Sequence, residues 1–216
     1  MAKLWVFGDS FCAHNKNWIN TIYNKGKFSE IEILGVSGSS LFYTLCELQL
    51  NTIRVKPEDS VIIGFTGKNR HYFQNVHFSG GYAHRFDKNT KDYSYKVEKN
   101  ILQAYKTFTT YLMDPEQERH VTDIFKYYID NSILPKLNCN NIVLFNTINR
   151  DDYDGFEYDG MFETITSFFH EFLGRTHMES EDIVRESMTQ NHWVDHPDYE
   201  EYFWNKYSKL FEHLWQ

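Results

Sequence analysis

Four short apolar runs constrain this chain more than any other feature: Leu4-Trp5-Val6-Phe7, Ile31-Glu32-Ile33-Leu34, Val61-Ile62-Ile63-Gly64-Phe65 and Ile142-Val143-Leu144-Phe145. Each is strand-sized, rich in β-branched or aromatic residues and bounded by Gly, Asn, Asp or Ser. Three of the four read as parallel strands buried on both faces. Trp18 to Tyr23 and Leu41 to Ile53 fit crossover helices between them. A further helix is marked by Asp114 as N-cap, Pro115 at the first helical position and Gln117 as capping-box partner, with Val121, Ile124, Phe125, Tyr128 and Ile129 at helical spacing. Strands alternating with helices imply a parallel sheet covered on both sides. The expected fold is therefore α/β: a three-layer α/β/α, flavodoxin-like, doubly wound and mostly parallel sheet of about five strands. A chain of 216 residues suits one domain, 1–216.

Two regions interrupt the rhythm. Residues 67–98 mix His71, Tyr72, Phe73, His77, Phe78, Tyr82, His84, Tyr93 and Tyr95 with Gly, Ser, Asn and Lys, without a sustained period. They read as an aromatic-rich insertion after the third strand. Residues 146–160 carry Asp151, Asp152, Asp154 and Asp159 and read as a loop over the same end of the sheet. No internal repeat or Pro-rich linker divides the chain.

Composition excludes several functions. A net charge of −8 without a basic stripe argues against nucleic acid, whose phosphates need clustered Lys and Arg. No apolar run approaches membrane-spanning length, and the N-terminus turns polar too soon for a secretory segment. Cys12, Cys46 and Cys139 have no metal-like spacing and do not form a disulfide framework. A cytoplasmic location, or the host cytoplasm for a viral protein, is the expectation. No metal or cofactor is expected: Asp151 to Gly155 lacks the ligand alternation of a Ca²⁺ loop, and His170-Glu171 lacks the second histidine of a zincin. Pro197 places His196 at a helix start, where a metal pair with His192 does not form. Gly35 to Ser40 has neither a Walker Lys nor a dinucleotide pattern.

In open parallel sheets, ligands bind beyond the carboxyl ends of the strands. Ser10, in Gly8-Asp9-Ser10-Phe11 after the first run, occupies such a place. Two readings stand there: a nucleophile near backbone N–H groups able to hold an oxyanion, or a cap, by Asp9 or Ser10, on the next helix.

Four segments in order then carry a resemblance. Gly8-Asp9-Ser10-Phe11 resembles block I of the SGNH (GDSL-like) hydrolases, and Gly35-Val36-Ser37-Gly38-Ser39-Ser40 resembles block II. Asp59 to Asn69 is similar to block III, and Asn191-His192-Trp193-Val194-Asp195-His196-Pro197 to block V, as seen in small SGNH-like proteins of tailed bacteriophages. The resemblance implies Ser10 as nucleophile, His192 as base with His196 the alternative, and Gly38 and Asn69 as oxyanion donors. The chain departs from the pattern in places. Phe11 replaces Leu, Asn69 falls one residue late, and Arg70 stands where Asp is common, so Thr66 or Arg70 is an alternative occupant of that edge. Thr189 and Trp193 lie where an orienting Asp would precede His192 or His196, which favours a Ser-His dyad, or a triad completed by a distant acid such as Asp182.

The implied activity is hydrolysis of an ester, with an O-acyl (acetyl) ester of a carbohydrate preferred because the insertion interleaves rings with Lys, Asn, Ser and His. Its rings equally suit covering an acyl chain, or packing the insertion onto the domain. The rival from another class is a non-catalytic SGNH-like binding or structural module, such as a phage-encoded one; a flavodoxin-like phosphate binder is a further one. The expected partner is a small-molecule or carbohydrate ester, with neither nucleic acid nor membrane; the sequence leaves the oligomeric state open.

Overall fold

The computed structural model describes residues 2–10, 12–13, 17–67, 70–79, 82–111, 113–139, 141–146, 160–164 and 198–215. Strands β1 (Lys3–Phe7), β2 (Glu30–Ile33), β3 (Ser60–Phe65), β8 (Asn141–Asn146) and β9 (Gly160–Thr164) form one sheet in the order β2-β1-β3-β8-β9. Every pairing in it is parallel. The four apolar runs thus supply four adjacent strands. Gly160–Thr164, which no apolar run marks, supplies the fifth.

Side chains of successive strand residues enter two separate cores, as a period of two requires. Leu4, Val6, Ile62, Val143 and Phe145 pack with Trp18, Ile19 and Ile22 of α1 (Asn17–Gly26) and with Phe203 and Phe211 of α5 (Tyr199–Phe211). Trp5, Phe7, Val61, Ile63, Phe65 and Leu144 pack with Leu41, Leu45 and Leu48 of α2 (Leu41–Asn51), and with Ile129 and Ile133 in the turns after α4 (Pro115–Tyr128). That α4 starts at Pro115 agrees with its predicted cap. β2 is an edge strand, and only there does an apolar run alternate with charge: Glu32 is salt-bridged to Lys3 at 2.7 Å.

Residues 67–98 hold more order than their composition suggests. β4 (His71–Phe73), β5 (Val76–Ser79), β6 (Tyr82–Asp87) and β7 (Asp92–Ser94) form a second, antiparallel sheet in sequential order. The β4–β5 turn is made by Gln74 and Asn75 at φ 48° and 61°, the doubly positive pattern that hairpin twist favours and that Asn-Gly usually announces. Without a glycine there, the hairpin leaves no sequence signal. The excursion also runs past residue 98, through α3 (Lys99–Tyr111) and α4, before the chain returns as β8. A small core of Val76, Phe78 and Ile101 joins the second sheet to α3, with Tyr105 stacked on Phe78 at 3.7 Å between centroids.

The chain's last helix returns to its first. Trp18 of α1 contacts Phe203 and Phe211 of α5, and Ser60 Oγ at the start of β3 donates to the Leu214 carbonyl. At the same end of the sheet Asp59 accepts hydrogen bonds from the Lys3 amide (2.9 Å), Trp5 Nε1 (2.9 Å) and the Lys56 amide (3.0 Å). Burial raises its pKa, but these bonds, Trp5 foremost, outweigh burial and hold it below the ordinary value. Asp59→Ala strands three donors, two of them on β1, and should cost on the order of 3 kcal/mol in urea unfolding. A loss under about 0.5 kcal/mol, the scale of an unremarkable surface change, would show the cluster to be dispensable.

Candidate active site

The exits of β1, β2 and β3 lie side by side, and the loops leaving them are bonded together. Gly8, at φ +152°, turns the chain out of β1, where a Cβ would stand 2.6 Å from Cys12 Sγ and 3.0 Å from the Gly64 carbonyl. Its carbonyl accepts from the Val36 amide and from Ser39 Oγ, both at 3.0 Å, which draws the segment after β2 against the turn. Within that segment Gly38 adopts φ 71°, a conformation other residues adopt with strain, and Ser40 then caps α2 by accepting from the Tyr43 amide.

Asp9 is fully buried, and its Oδ2 accepts from Thr66 Oγ1 and from Arg70 Nη1, each at 2.8 Å. Thr66 follows β3 directly and Arg70 opens the second sheet, so both residues weighed as alternatives to Asn69 converge on the residue before Ser10. The described part of α1 begins at Asn17. Ser10 is buried to 7% exposure at the same turn. The structure therefore brings together the turn holding Ser10 and the loop holding Gly38. Asn69, His192 and His196 lie outside the described residues, as do Asp182 and residues 147–159 of the acidic loop.

Sequence reasoning missed the grip of the insertion on the Gly38 loop. The Ser37 amide donates to Tyr93 Oη at 3.1 Å, and the Ser37 carbonyl lies 2.9 Å from His84 Nε2, which must carry the proton to bond it. Both backbone polar groups of the residue preceding Gly38 are thus held from the second sheet. His84 in turn stacks on His77 at 5.2 Å between centroids, and His77 packs against Tyr43 and Tyr72. Burial, then the neighbouring His84 and Lys88, depress the His77 pKa to about 3; burial foremost also lowers that of His84. The density of His and Tyr was the one hint in the sequence, and it does not specify this pairing.

Among the described residues no cluster of His, Cys, Asp or Glu is arranged to hold a metal ion, and no helix is long and apolar enough to cross a membrane. Comparison with protein-family models, with curated proteins and with solved structures finds no match to this chain.

Two stability measurements follow. Arg70→Met removes the guanidinium paired with the buried Asp9 carboxylate and should cost about 3–5 kcal/mol, most of which Asp9→Asn in the same chain should recover. Additive losses would show that the two side chains do not depend on each other. For His77, a folded-state pKa below the unfolded 6.5 means that its contribution is complete above pH 6.5 and fades as pH falls toward 3. Chemical denaturation across that window should show this slope, at most about 1.4 kcal/mol per pH unit, and His77→Phe should flatten it. An equal slope in both proteins would assign the acid sensitivity elsewhere.

Proposed function

We propose that this chain is a serine hydrolase acting on an ester bond, built on a three-layer, flavodoxin-like scaffold of the SGNH type. The observation that carries the reading is the meeting of three strand exits: Ser10 after β1, the Gly38 loop after β2, and Thr66 with Arg70 after β3, all tied through Gly8 and Asp9.

Ser10 Oγ attacks the ester carbonyl while the imidazole of His192, or alternatively His196, accepts its proton. The oxyanion takes hydrogen bonds from the N–H groups of Ser10 and Gly38 and from the Asn69 amide. As the tetrahedral species collapses, the acyl–oxygen bond of the ester breaks and the alcohol leaves with the proton from the imidazolium. Water then adds to the acyl-serine, returning a proton to Ser10 and releasing the acid. The ester is proposed to be an O-acyl carbohydrate. In support, Tyr43, Tyr72, Phe86 and Tyr93 line a cavity of about 740 Å³ together with Lys88, Asp87 and Asp92, a ring-and-polar wall suited to a sugar. The protein is proposed to act in the cytoplasm, or in that of a host.

The second reading, a non-catalytic module on the same scaffold, is favoured by the low exposure of Ser10. A fluorophosphonate probe separates the two: wild type should label and Ser10→Ala should not, with ester hydrolysis falling at least about a thousand-fold in the variant. A wild-type protein that resists the probe leaves the binding module as the better description.

A further inference from the structure

A cavity of about 390 Å³, within the ordinary range of small-molecule sites, opens beside the Ser10 turn. Its wall is largely apolar, formed by Leu41 and Phe42 of α2, Tyr72 and Phe73 of β4, Tyr105 and Phe108 of α3, and Phe125 of α4. Ser40, Gly67, Arg70, His71 and Thr122 also line it, and the first three come from the loops leaving β2 and β3. Arg70 is the residue bonded to Asp9, next in sequence to Ser10, and Ser40 follows the Ser39 whose hydroxyl holds Gly8. The cavity and the Ser10 turn therefore share a boundary. Phe42 and Phe108 of this wall are 50% and 45% exposed, so part of its apolar surface meets solvent. An interior like this excludes a sugar, whose hydroxyls would find few partners among alkyl and aryl groups.

We infer that this cavity holds the acyl chain of the substrate, an unbranched alkyl group well beyond acetyl in length, with the carboxyl carbon at the Arg70 end. The inference rests on the ester-hydrolase reading for what happens at that carbon, and departs from the acetyl group that the sequence favoured. The alkyl chain buries against Leu41, Phe108 and Phe125. Arg70, 13% exposed and fixed by Asp9, lies where the product carboxylate is released. Burying each added methylene is worth about 0.8 kcal/mol, or roughly fourfold in kcat/KM, until the cavity is full.

Ala104 of α3 lines the cavity from an exposed helical position, so Ala104→Trp fills the space without entering the core. Two measurements test the proposal on the full chain. With p-nitrophenyl esters from acetate to octanoate, wild-type kcat/KM should climb about fourfold per methylene. Ala104→Trp should abolish the climb. Titration calorimetry with octanoate, which requires no catalysis, should show binding by wild type and at least tenfold weaker binding by Ala104→Trp. Octanoate binding equal in the two proteins overturns the inference. So does a flat or falling chain-length profile in a protein that reacts with fluorophosphonate. Octanoate binding sensitive to Ala104→Trp in a protein inert to that probe would instead sink the hydrolase reading and keep the cavity as an alkyl-carboxylate site.

Discussion

A carboxylate with no access to water must be paired, and at Asp9 that requirement organises the carboxyl edge of the sheet. Its partners come from different places: Thr66 at the end of β3, and Arg70, where the second sheet begins. Satisfying one side chain therefore fixes the exit of β3 against the exit of β1 and sets the direction in which the long excursion departs. The backbone completes the arrangement, because Gly8 makes the turn and its carbonyl collects the loop after β2. Weakening the ion pair should disturb three loops together, since each bond positions a different strand exit on the same short segment.

What was legible in the sequence follows from how local each determinant is. β1, β3 and β8 are covered on both faces, so their residues had to be apolar almost without interruption, and they read directly as buried strands. β9 and the hairpin strands β4 and β5 gave no such signal, because Gly160-Met161-Phe162-Glu163-Thr164 carries no continuous apolar run and Gln74-Asn75 replaces the usual turn chemistry. The Gly8 and Gly38 turns were visible as glycines after strands. The partnership of Asp9 with Arg70, 61 residues away, was not visible, because long-range polar pairing leaves no periodic mark. Arg70 stood out only as a departure from the pattern the other segments resembled.

The second sheet has two roles that compete for its side chains. Most of its rings are consumed internally: His77 lies among Tyr43, Tyr72 and His84, and Phe78 is covered by Tyr105. This is the packing use of an aromatic-rich insertion. The remainder faces outward in two directions, toward the apolar cavity beside α3 and α4 and toward the polar, ring-lined cavity beside α2. Tyr72 lines both, so β4 is the partition between an apolar and a polar compartment.

Burial, foremost, holds both rings of the histidine pair below the ordinary imidazole pKa, and for His84 it outweighs the bond to the Ser37 carbonyl, which acts in the opposite direction. His84 spends its Nε2 proton on the Ser37 carbonyl, and its stacking partner is closed in by tyrosines on either side. The Tyr93 hydroxyl secures the Ser37 amide, so the segment that turns at Gly38 is held at both backbone groups of Ser37 before it caps α2. A loop pinned in this way loses little further entropy when a ligand or a developing charge arrives, which is the condition under which backbone donors are most effective. The excursion after β3 is therefore structurally continuous with the strands it interrupts: it supplies a cation for Asp9, the clamp on Ser37 and a wall of the apolar cavity.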